Sequence, residues 1–168
     1  MTVDVFAADE QVFRPMEVER WASLARAVLD AEGVRIDTEV SLLFVDEDTI
    51  AELNTRFLGR SGSTDVLAFP IDDEPAVAGR SPDQGGAGPG GVVAEDDVPL
   101  LLGDVVLCPA VASRHAEEHG VGLDDEVALL VVHGLLHLLG MDHEDAGEAE
   151  QMERREQELL DRFYRRLE

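Results

Sequence analysis

Lysine is absent from this 168-residue chain, cysteine occurs once, and aromatic residues make up only 5% of it. All 13 basic residues are arginine, set against 37 acidic ones, so the formal net charge is −24. So little positive charge excludes a protein that draws nucleic acid to its whole surface. It also excludes a polybasic membrane-surface protein. The single Cys108 rules out an internal disulfide framework. No apolar run is long enough for a spanning helix: the longest starts as VALLVV (127–132) and is punctuated by His133 and His137 before it reaches Met141. The opening residues MTVDVFAADEQVF lack the basic n-region of a secretory signal. These absences lead to the expectation of a soluble protein in a reduced, cytoplasmic compartment with no membrane partner.

An apolar fraction of 45% is enough for a real core, and the length suits a single domain spanning 1–168. Residues 2–7 alternate as a short strand. Pro15 suits the first turn of a helix that runs to about Ala31 through Val18, Trp21, Leu24, Ala25, Val28 and Leu29, and Gly33 ends it. Residues 39–45 read as a strand, and Asp46 as the N-cap of a helix to about Phe57. The turn GRSGST (59–64) leads into a strand at 65–69, stopped by Pro70. Residues 71–99 are rich in glycine and acid and read as a flexible loop. LLGDVVLC (101–108) is the next strand, and Pro109 opens a helix closed by Gly120. Asp124 and Asp125 start another helix, where acids suit the positive end of the dipole. Residues 127–139 are apolar on nearly every side, which places this helix in the middle of the fold. A last helix over 147–167 carries Met152, Leu159, Leu160 and Phe163 as its apolar stripe. About four strands and five helices, with helices flanking one central sheet, define an α+β (mixed α/β) domain.

The segment that carries chemistry is HGLLHLLGMDH (133–143). His133 and His137 are four apart, so they share one face of the helix. Gly140 lets the chain leave the helix, and the bend can return His143 beside the first two. Three imidazoles with one position left over is the pattern of a catalytic zinc site, whose fourth ligand is a water with a pKa lowered to about 7. One Zn²⁺ per chain is the expectation, though other divalent metals also accept imidazole. The spacing is metzincin-like, as in the extended peptidase signature HExxHxxGxxH, but Gly134 stands where those enzymes carry the glutamate that acts as general base. A zinc peptidase with an HxxxHxxxxxH site is therefore the second reading.

Three blocks together resemble the YbeY family, bacterial ribosomal-RNA maturation factors and metal-dependent endoribonucleases. HGLLHLLGMDH (133–143) is similar to that family's HGxLHLxGyDH, STDVLAFP (63–70) to its PTDVLSFP, and LGDVVLCP (102–109) to its LGDIxICP. The resemblance covers about Leu42 to Arg155, apart from 71–99. It implies a sheet packed against helices, with His133, His137 and His143 holding one zinc at the base of a cleft. It further implies single-stranded rRNA as substrate, a part in end maturation of small-subunit rRNA and in ribosome quality control, and contact with the small subunit and its assembly proteins. The chain departs from the family at Leu58, where an arginine is usual. Arg60 and Arg56 are the neighbouring cations. A third reading is a non-catalytic ribosome-assembly factor with a structural metal.

An acidic protein can still hold RNA if its charge is unevenly spread. Segments 54–64, 105–116 and 127–141 contain no acid, whereas the acids gather in 71–99 and in the terminal helices. On this count the cleft is neutral to positive, with Arg60, Arg56 and Arg114 as candidate phosphate contacts. Zinc would polarise a phosphoryl oxygen or supply hydroxide, and an arginine would stabilise the added negative charge. Asp142 is read as orienting an imidazole or stabilising the turn. Asp65 and Asp104 are read as tethers to backbone amides, Thr64 as a turn cap, and Cys108 as a small buried hydrophobe. His115 and His119, also four apart, lack a third ligand and are assigned to solvent.

Overall fold

A computed structural model describes residues 3–34, 37–71, 100–141 and 146–164. Its elements follow in the order β1 (Asp4–Glu10), α1 (Val18–Ala31), β2 (Thr38–Val45), α2 (Glu47–Leu58), β3 (Val66–Pro70), β4 (Leu100–Leu107), α3 (Pro109–His119), α4 (Leu123–Leu138) and α5 (Ala146–Leu159), closing in a wider π-helical turn over Leu160–Tyr164. The expected α+β class and the four-stranded sheet are present. The strands lie in the order β1-β2-β4-β3. β1, β2 and β4 run parallel, and β3 pairs antiparallel at the edge. An edge is where Pro70 can end a strand, because a missing N–H costs nothing on the side facing away from the ladder.

The period of two in β2 sorts the core into two layers. Val40, Leu42 and Phe44 point to one face and join a large cluster with α1, α4 and the C-terminal turn. Leu43 and Val45 belong to a smaller cluster with Ile50, Leu67, Val106, Cys108 and Val111. α1 contributes Trp21, Leu24, Val28 and Leu29 to the larger layer. At about 1.5–3 kcal/mol for each large apolar side chain removed from water, this layer is the chief source of stability. No helix among the described residues is long and apolar enough to cross a membrane.

Two glycines decide how closely α4 and β4 approach their neighbours. A Cβ on Gly134 would stand 2.6 Å from Val105 Cγ1 and 3.4 Å from Val66 Cγ2, so α4 lies on the sheet only because that side chain is missing. Gly103 has φ +142°, and a Cβ there would collide with the Phe69 carbonyl. It sits beside the register shift where Val40 pairs with Gly103 while Glu39 pairs with Leu101.

Several expectations need correction. The first strand is displaced to Asp4–Glu10. Pro15 lies ahead of α1, which begins at Val18. Asp46 has the extended backbone of an N-cap but no capping bond of its own; its Oδ1 instead accepts the Val12 N–H at 3.0 Å, tying the loop after β1 to the start of α2. The last helix does not run unbroken through 160–164. There a wider π-helical turn follows, with Leu159, Leu160 and Tyr164 all buried. Tyr164 stacks on Trp21 with ring centroids 6.2 Å apart and donates its hydroxyl to Asp125. The loop expected at 71–99 lies, from residue 72 on, outside the described residues.

Candidate metal centre

α4 is the buried spine of the domain: Val127, Ala128, Val131, Val132, Leu135 and Leu136 are within 1% of full burial. A helix so apolar leaves one stripe for polar groups, and His133 and His137 occupy it, half-buried. Their ring centroids are 4.6 Å apart with planes at 81°, and their Nε2 atoms are 3.1 Å apart. Two imidazole nitrogens bound at about 2.0–2.1 Å to one tetrahedral cation would be about 3.4 Å apart, so a few tenths of an ångström of opening suffices. His143 and Asp142 lie outside the described residues.

The ring of His133 is fixed from behind. Its Nδ1 meets the carboxylate of Glu156 on α5. An ionised carboxylate only accepts, so Nδ1 carries the proton and Nε2 keeps its lone pair for a cation. A carboxylate behind a ligating imidazole is the usual way that proteins set tautomer and ring orientation at a metal. Glu156 is buried, and Met152 and Leu159 on either side of it anchor α5 to the core. Beside this pair a cavity of about 280 Å³ opens between α4 and α5, lined by Leu129, His133, Met152, Glu153 and Glu156 among others. The donor set therefore fits a zinc ion or a similar divalent cation.

Position 134 bears on the peptidase reading. Its missing side chain faces Val105 on β4, so a carboxylate there would enter the sheet.

The turn 59–64 is held by residues that sequence reading missed. Asn54 donates from Nδ2 to the Gly62 carbonyl at 3.0 Å, and Ser63 donates to Glu47 Oε2 at 2.8 Å. Gly59, at φ 68°, ends α2 in the left-handed conformation. Arg56 and Arg60 project from this region, exposed, and among the described residues neither has an acidic partner. Arg56 lies 5.6 Å over the Phe57 ring. Arg114 differs: it grips Glu47 with both Nη atoms, at 3.1 and 2.7 Å. Hydrogen bonds from Arg114 and then from Ser63 hold the Glu47 carboxyl at a pKa of about 2. Among the described residues no side-chain bond of Thr64 marks it as the cap of this turn; Ser63 and Asn54 hold it.

His115 and His119 are not simply turned to solvent. His115 Nδ1 lies 2.8 Å from Asp65 Oδ2, and His119 Nδ1 lies 3.1 Å from Glu126 Oε1. Asp65, His115 and Glu126 bring one ligand atom each within 4.8 Å of one another, a group able to hold a cation. The strand tether expected of the Asp65 side chain is made by its backbone carbonyl, which accepts the Cys108 N–H at 2.9 Å. Cys108 is buried as expected, and burial pushes its thiol pKa up.

The neutral-to-positive cleft inferred from acid-free segments does not hold as stated. Glu156 reaches His133 from α5, Glu153 lines the cavity beside it, and Glu47 reaches Arg114 from α2. Acids distant in sequence are neighbours in space. Glu156 did leave a signal: it sits at i+4 from Met152 and i−3 from Leu159, a charge inside an otherwise apolar stripe.

A mixed sheet with a buried helix presenting two convergent imidazoles, one backed by a carboxylate, defines an α+β protein with a paired-histidine site on its central helix. The family model described as Endoribonuclease YbeY matches residues 6–164, and the chain belongs to that family. It is 43% identical over 155 residues to the Endoribonuclease YbeY of Thermobifida fusca, covering 92% of this chain and 90% of that protein. The same-named protein of Salinispora tropica is 48% identical over 130 residues, 77% of each chain. The solution structure of TM1509 from Thermotoga maritima superposes with a TM-score of 0.54 at 23% identity, covering 94% of this chain and 90% of that one, which shows the shared fold.

Proposed function

We propose that this protein is a zinc-dependent, single-strand-specific endoribonuclease that acts in end maturation of small-subunit rRNA and in ribosome quality control in the cytoplasm. The observation that carries the reading is the convergence of His133 and His137 Nε2, 3.1 Å apart with Glu156 behind His133, in a chain of the YbeY family. His143 would complete the ligand set. Zinc, when bound, supplies Lewis acidity for attack on a phosphodiester.

The chain's own residues supply the rest. Glu156 holds the Nδ1 proton of His133 and so presents the correct tautomer. Arg56 and Arg60, free of carboxylates among the described residues, are the groups to meet RNA phosphate. Arg114, already clamped on Glu47, acts by bracing the start of α2 against α3. With so few cations, RNA binding should weaken only modestly with salt, and contacts to the small ribosomal subunit and its assembly proteins would contribute much of the affinity.

The test is His137→Ala, with zinc content and cleavage of single-stranded rRNA measured on the same sample. Both should fall together; cleavage that persists after zinc is lost would remove the metal from the reaction. Zinc-replete protein that leaves single-stranded rRNA uncut, yet melts far lower on chelation, would instead make the metal structural in an assembly factor. A casein digest addresses the peptidase reading, which Gly134 and its contact with Val105 disfavour.

A further inference from the structure

We infer that Asp65, His115 and Glu126 form a second divalent-cation site, distinct from the His133–His137 centre. The three side chains come from separate elements: Asp65 immediately precedes β3, His115 is in the middle of α3, and Glu126 is in the first turn of α4. One ligand atom from each lies within 4.8 Å of the other two.

The charge balance of the cluster asks for a cation. Two carboxylates approach each other, and like charges this close repel. The Glu126 side chain is only 4% exposed, and a carboxylate taken that far from water needs a counter-charge. No arginine provides one: the adjacent Arg114 is turned to Glu47, and among the described residues the Glu126 carboxylate has His119 as its hydrogen-bond partner. Without metal, the His115 and His119 Nδ1 atoms meet these carboxylates, one imidazole to each. A divalent cation replaces these separate contacts with one shared centre, with His115 neutral, its proton on Nε2 and its Nδ1 lone pair on the ion. His119, 59% exposed, then orients Glu126 from outside.

Two carboxylate oxygens and one imidazole nitrogen make a harder donor set than three imidazoles. It suits manganese(II) or zinc(II) and not a thiophilic ion. Bound there, the ion would pin the start of β3, where the turn 59–64 ends, to α3 and α4.

The probe is manganese(II), followed by electron paramagnetic resonance, with a parallel zinc(II) titration, using the full chain carrying His137→Ala so that the other centre is disabled. One ion per chain should still bind. Adding His115→Ala should weaken that binding by roughly tenfold or more, the scale of losing a group around a metal. Asp65→Asn, which keeps shape and removes charge, should do the same with the far-UV circular dichroism unchanged. Neither ion binding to the His137→Ala chain overturns the site. So does binding that is indifferent to both added substitutions, since that would place the ion on the acidic surface. RNA cleavage plays no part in this readout, so its failure and failure of the nuclease reading are separable.

Discussion

Two histidine pairs in this molecule have the same i, i+4 spacing and different outcomes. On α4, His133 and His137 turn their Nε2 atoms to one point, with centroids 4.6 Å apart. On α3, His115 and His119 are 6.4 Å apart, and each Nδ1 goes to its own carboxylate. Spacing places two rings on one face, but what stands behind each ring decides where its lone pair points. Glu156 behind His133 frees Nε2 for a shared ligand, whereas Asp65 and Glu126 in front of the α3 pair draw the rings apart.

The contrast can be broken most forcefully by His133→Ala against His115→Ala. Zinc affinity at the α4 centre should collapse with the first, by well over the roughly 10–100-fold expected for an outer partner, and be unchanged with the second, as measured by competition with a chromogenic chelator. Glu156→Gln should cost the α4 centre about 10–100-fold in zinc affinity, while Glu126→Gln leaves it intact; equal effects would mean that Glu156 is only a buried packing residue. Gly134→Ala drives a methyl into Val105 and should lower stability by about 1–3 kcal/mol in urea melts, with metal affinity reduced because the helix carrying both ligands must shift.

The smallest effect concerns Glu47. Its carboxyl is held at about 2 in the fold against an ordinary 4.5. A lowered folded pKa contributes stability that is complete above 4.5 and is lost as pH falls from there toward 2. Arg114→Ala should therefore lower the melting temperature slightly at neutral pH, and the gap from the unsubstituted chain should close on acidification through that window. The pair is exposed, so the gap will also shrink with salt.

Much of the architecture was legible because it rests on local periodicity. The apolar residues of α1 and the apolar run at 127–139, punctuated by His133 and His137, locate two helices of the main core layer. Alternation over 39–45 locates β2, and Pro109 and Gly120 bracket α3 to the residue. The misses have a common origin in contacts between distant segments. Asp46 is the N-cap residue of α2 as read, but its side chain binds Val12 and not the helix; the last helix looked continuous and gives way to a π-helical turn over Leu160–Tyr164, where Tyr164 stacks on Trp21. At the site, the convergence of His133 and His137 on one face of α4 was readable from their spacing. Its carboxylate partner comes from 23 residues away, and Glu126 looked like one more dipole-friendly acid in a first turn. Charge counted segment by segment misled for the same reason.

Glu156 belongs to the last described helix, whose hold on the domain is Met152, Leu159, Leu160 and the Tyr164–Trp21 stack. Without that helix in place the carboxylate behind the His133 ring would be withdrawn. On the proposed zinc reading, the seating of this helix against Trp21 and α4 thus sets how firmly the ion is held.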